Sequence, residues 1–84
     1  MTYKMYSVKD SKVGFMIPTC DMSDQSAIRN FSYAVNANNG MMNYSPKDFD
    51  LYCIGEFDDE KGEINSKIPE FIVSGSSIYG VNDD

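Results

Sequence analysis

The sequence predicts an α+β fold, with one amphipathic helix packed on a small, mostly antiparallel sheet of about four or five strands. Three observations carry this. Apolar side chains recur at three- and four-residue steps between Ser23 and Asn38, the spacing of a helix with one buried stripe. Apolar and polar residues alternate along Phe49–Asp58, the period of a half-buried strand. Shorter β-branched and aromatic runs elsewhere end at clusters of Asp, Asn, Gly and Pro, which mark turns.

The first strand is Tyr3 to Lys9, with Tyr3 and Met5 on one face and Tyr6 and Val8 on the other. Apolar groups on both faces suit a central strand. Asp10-Ser11-Lys12 turns the chain, and Val13 to Ile17 forms a second short extended piece stopped by Pro18. In the helix, Ser23 or Asp21 caps the free N–H groups and Asp24 suits the positive end of the dipole. Ala27, Ile28, Phe31, Ala34 and Val35 make the buried stripe, and Asn38-Asn39-Gly40 ends it, because Asn and Gly tolerate the left-handed conformation needed there. Met41 to Asp48 reads as a loop.

In the next strand Phe49, Leu51, Cys53, Gly55 and Phe57 face one way, and Asp50, Tyr52, Ile54 and Glu56 the other. Asp59-Glu60-Lys61-Gly62 makes a hairpin turn with Gly62 at the positive-φ position. Glu63 to Lys67 returns antiparallel. Pro69 then starts a separate short strand, Phe71-Ile72-Val73, at a sheet edge where its missing donor costs no ladder bond. These elements make a single domain over residues 1–74, and residues 75–84 are expected to be a loosely ordered C-terminal tail with a solvated Asn82-Asp83-Asp84 end.

Composition narrows the function. A chain of 84 residues is too short for a second core, and a domain this small gains from oligomerisation. The net charge of −6 argues against general attraction to nucleic acid or anionic membrane. That charge is uneven, however. Residues 1–40 hold four cations against three acids, whereas residues 41–84 hold three cations against ten acids. Cys20 and Cys53 make no zinc pattern, and there is no histidine to complete one or to serve as a base near neutral pH. The acids Glu56, Asp58, Asp59, Glu60 and Glu63 miss the spacing of a calcium loop. No enzyme activity, metal or other cofactor is expected, and neither is a membrane segment.

Three stretches carry a family resemblance. They are Tyr6-Ser7-Val8-Lys9-Asp10, then Ala27-Ile28-Arg29-Asn30-Phe31 with Ala34-Val35-Asn36, and lastly Tyr44 to Tyr52 with Ile54-Gly55-Glu56-Phe57-Asp58. In this order and spacing the chain resembles the small nonstructural protein of gokushovirus-type microviruses, which are bacteriophages with single-stranded DNA genomes. The resemblance covers about residues 3–65. It implies a protein of the host bacterial cytoplasm, absent from the finished capsid, that binds DNA and influences genome replication or packaging.

Binding to single-stranded DNA needs cations for phosphates and aromatic faces for unpaired bases. The candidates are Tyr3, Lys4, Tyr6, Lys9 and Lys12 around the first strand, and Arg29 and Tyr33 on the polar side of the helix, with Phe15 nearby. The alternative is a dimeric adaptor that binds a viral or host replication protein and never touches DNA. In that case the edge at Glu70 to Val73 pairs with a second copy, and a charge placed at Ile72 disrupts it.

Overall fold

The computed structural model describes residues 1–80, so the expected solvated end at Asn82-Asp83-Asp84 lies outside the described residues. The order is β1 (Thr2–Asp10), β2 (Gly14–Phe15), β3 (Thr19–Asp21), α1 (Asp24–Asn36), α2 (Met41–Tyr44), a 3₁₀ turn (Pro46–Asp48), β4 (Phe49–Asp58), β5 (Glu63–Ser74) and α3 (Gly75–Ile78). All strand pairs are antiparallel, in the order β2-β1-β4-β5, with β3 also on β1. The fold is α+β, with one long helix on one face of the sheet.

β1 is the central strand. It pairs with β4 along its whole length, from Thr2 opposite Asp58 to Asp10 opposite Phe49. Its other edge is shared, with β2 opposite Lys9 and Asp10 and β3 opposite Lys4 to Tyr6. Three-residue β3 escapes sequence reading because it is too short to show a period and follows Pro18. The link between β2 and β3 is anchored by Ser7 Oγ, which donates to Met16 O at 2.6 Å, and by Met16 N, which donates to Val8 O at 2.8 Å.

α1 begins as expected at Ser23, whose side chain accepts from Ser26 N at 3.2 Å. It ends two residues earlier than expected, and Asn39 then takes the left-handed conformation at φ 66°. Ala27, Phe31 and Val35 are buried against Tyr6, Phe49, Leu51 and Cys53, which together make the core. Ala34, expected on the stripe, is exposed, while Ser32 is buried. The expected loop at Met41–Asp48 contains helical turns, because Gly40 caps one and Pro46 opens the other.

The two strands expected after the hairpin are one, β5. Its register jumps between Glu70 opposite Cys53 and Ser66 opposite Gly55. Lys67, Ile68 and Pro69 therefore bulge outward opposite Ile54, and the proline breaks the pairing without ending the strand. Gly55 is required at that bulge, since a Cβ there would lie 2.4 Å from Asn65 O.

Residues 75–80 differ from the tail expected over 75–84. Gly75 is buried, and α3 is held by Asn36, whose Nδ2 donates to Ile78 O at 3.1 Å and whose Oδ1 accepts from Gly80 N at 2.7 Å. The Ser74-Gly75-Ser76-Ser77 run reads as loose in sequence, yet Ser74 caps the turn by accepting from Ser77 N. The chain is a slab of 39 × 31 × 19 Å, one helix layer on one sheet layer. Among the described residues, no helix covers the sheet face opposite α1.

Candidate nucleic-acid interface

The seven residues expected to bind nucleic acid do not converge. Tyr6 belongs to the core at 1% exposure, with its ring under α1 and its hydroxyl donating to Asp24 Oδ1. Placing it among base-stacking residues is therefore corrected: alternation along β1 turns Tyr6 toward the helix, and a ring this buried offers no face to a base. Lys4 shares that helix side, with Nζ 3.4 Å from Asp24 Oδ1. Arg29 and Tyr33 lie on the exposed side of α1, where Arg29 Nε donates to the Tyr33 hydroxyl at 3.3 Å and the guanidinium sits 6.0 Å from the ring centre. Lys12 is exposed in the turn after β1.

Tyr3 and Lys9 do share a surface, the open face of the sheet. Along β1 that face carries Tyr3, Met5, Ser7 and Lys9, alternating with the helix-facing Tyr6 and Val8. Three further aromatic residues form a row across it. The Phe15 and Tyr52 rings meet edge to face at 5.4 Å, and Tyr52 meets Phe71 the same way at 5.8 Å. The row thus runs from β2 through β4 to β5. Lys9 Nζ lies 5.7 Å from the centre of the Phe15 ring.

Phe15 and Phe71 are each about half exposed, at 48% and 55%. A polar-out pattern would leave this face to small or charged side chains, so an uncovered aromatic row is a departure from what solvation alone favours. The sequence alternation already placed Tyr52 on the face opposite Phe49, Leu51 and Cys53. Its neighbour Phe71 was not so placed, because the β5 bulge sets their register.

Opposite Lys9 on this face stands Asp50 of β4. Asp24 is held below its usual carboxylate range, first by the Tyr6 hydroxyl and then by Lys4. Burial pushes the Tyr6 phenol upward, and the bond to Asp24 adds to it. Asp48 is lowered chiefly by Ser45, whose hydroxyl donates to it at 2.6 Å. The acid-rich turn after β4 lies at the far end of the slab from Phe49, and the terminal ammonium folds onto it, 2.7 Å from Asp59. Among the described residues, no group of three or more Cys, Asp or Glu side chains is placed to hold a metal ion. Among the same residues, no helix is long and apolar enough to cross a membrane.

A second feature is an apolar groove of about 720 Å³ at the Phe49 end of the slab. Phe49, Ala34 and Ala37 of α1, and Met16, Met41 and Met42 line it, with Asp10 and Phe15 also at its border. Val13 and Ile17 stand on its rim, almost wholly exposed.

These features define a small α+β protein with an open aromatic sheet face and an apolar end groove. By sequence, the chain belongs to the phage ORF5 protein family, whose model matches residues 3–78. It is thus a bacteriophage protein. No curated protein and no solved structure matches it.

Proposed function

We propose that this chain is a nonstructural accessory protein of a gokushovirus-type, single-stranded-DNA phage, that it works in the host cytoplasm without catalysis, and that it binds single-stranded DNA on the open face of its sheet. The observation that carries the reading is the Phe15–Tyr52–Phe71 row with Lys9 against it. Unpaired bases stack on exposed aromatic faces at about 1–3 kcal/mol per base, without reading sequence. A sheet bearing such rings is a common platform for single strands. Binding of this kind favours exposed genome over duplex and so bears on replication or packaging.

The test is an anisotropy titration of labelled oligodeoxythymidine and of a duplex at low salt. Single-strand binding that is lost in Phe15→Ala and Phe71→Ala, and kept in Tyr33→Ala, supports the reading. No binding to the single strand overturns it. The apolar groove, a surface fit to pair two copies, favours a second reading, a dimeric adaptor that binds a viral or host replication protein and never touches DNA, and wild-type binding to neither DNA promotes it.

A further inference from the structure

We infer that the groove at the Phe49 end, together with its Val13–Ile17 rim, is a self-complementary surface on which a second copy of this chain docks about a two-fold axis. The patch holds a protrusion and a cavity side by side. Val13 and Ile17 are 87% and 89% exposed, and they border a hollow lined by Ala34, Ala37 and Met41. A two-fold interface presents the same patch on both subunits, so each apolar rim can enter the other's groove. Met16, Met41 and Met42 line the hollow, and unbranched methionines adapt to an inserted side chain.

Charge limits how two copies can meet, and this end is where they can. Each copy carries a net charge of −6, so most pairings of two copies are repulsive. Five of the acids, Glu56, Asp58, Asp59, Glu60 and Glu63, cluster around the turn after β4. The groove lies at the opposite end of β4, about 30 Å away at ~3.3 Å per residue. Docking through the grooves sets the two acidic ends about twice that distance apart, well beyond a Debye length of about 8–10 Å. The turn beside the groove alternates Lys9, Asp10 and Lys12, so a two-fold axis can set a cation of one copy against Asp10 of the other. The core gains too, because buried Phe49 lines the groove in a domain whose core holds seven buried apolar residues.

The experiment is sedimentation equilibrium on the full chain without DNA, across a micromolar range. The wild type should show a monomer of 9.5 kDa in exchange with a species of twice that mass. Ile17→Glu puts a charge on the rim, and Ala34→Trp fills the hollow from the exposed side of α1. Each should weaken association by about tenfold or more. Ile68→Glu, at an equally exposed site on the β5 bulge, should leave it unchanged. Circular dichroism and a thermal melt check that each variant is folded; because all three sites are exposed, the variants are expected to fold. A wild type that stays monomeric overturns the inference. So does a dimer that survives both groove variants, or one that Ile68→Glu dissociates to the same extent.

Discussion

The Tyr6 hydroxyl donates to Asp24 Oδ1, which ties the central strand to the first turn of the helix. The ring beneath that bond is fully buried, whereas the carboxylate is partly solvated and also meets Lys4. Tyr6→Phe keeps the packing and removes the bond, so it should cost about 1 kcal/mol, the usual worth of one hydrogen bond. Tyr6→Ala also empties the core and should cost about 3–5 kcal/mol. Urea unfolding of the two variants separates the contributions, and an unchanged stability in Tyr6→Phe would show that the bond carries nothing.

The same pair sets a pH dependence. Asp24 and Asp48 are both lowered in the folded chain from an ordinary value of 3.8. A lowered folded value means that the unfolded chain takes up protons first as pH falls. Their contribution is therefore complete above about pH 3.8 and is lost as pH drops through the folded values. At the alkaline end Tyr6 is raised from 10.0. Its share is complete below about that pH and is lost as pH rises beyond it. Melting temperatures across pH should fall at both ends, with Asp24→Asn flattening the acid limb and Tyr6→Phe the alkaline one.

Gly75 fixes the place where β5 meets α3. A Cβ there would lie 2.3 Å from Pro46 O and 2.9 Å from Phe49 O, both backbone atoms. Gly75→Ala must push the 3₁₀ turn away and should cost about 1–3 kcal/mol. Ser76→Ala, next to it and exposed, should cost well under that. Thermal or urea unfolding of the pair checks the contrast.

Asn36 is the second tie on this segment. Asn36→Ala removes the bonds to Ile78 O and Gly80 N, and the neighbouring bond to Ser32 O at 2.9 Å. Backbone amides of residues 75–80 should then exchange faster, with those of β1 and β4 little changed, as hydrogen exchange would show.

Much of the fold was legible because it rests on local periodicity. The Ala27–Phe31–Val35 stripe and the Phe49–Leu51–Cys53 alternation each name their own buried face, and Ser23 and Gly62 name a cap and a turn. What was hidden depends on long-range geometry. Tyr6 looks like any strand tyrosine until α1 covers it, and the bulge of Lys67, Ile68 and Pro69 appears only once β5 is paired with β4. That bulge brings Phe71 beside Tyr52, so the aromatic row could not be read from spacing. It also changes the probe for an edge dimer, since Ile72 packs against the core and a charge there would unfold the chain rather than report on pairing.

The open face makes a quantitative prediction about DNA. For single strands, the logarithm of the binding constant falls by about 0.7 per neutralised phosphate for each unit in the logarithm of salt concentration. Lys9 is the cation set against the aromatic row, while Lys4 is engaged with Asp24 on the other side of the sheet. Binding should therefore follow a slope of roughly −1, shallow enough to survive moderate salt. Lys9→Glu should abolish the slope and weaken binding by about tenfold, and Lys4→Glu should leave both nearly unchanged. A steep slope that Lys4→Glu or Arg29→Glu reduces would move the strand off this face and onto one where phosphates, not bases, hold it.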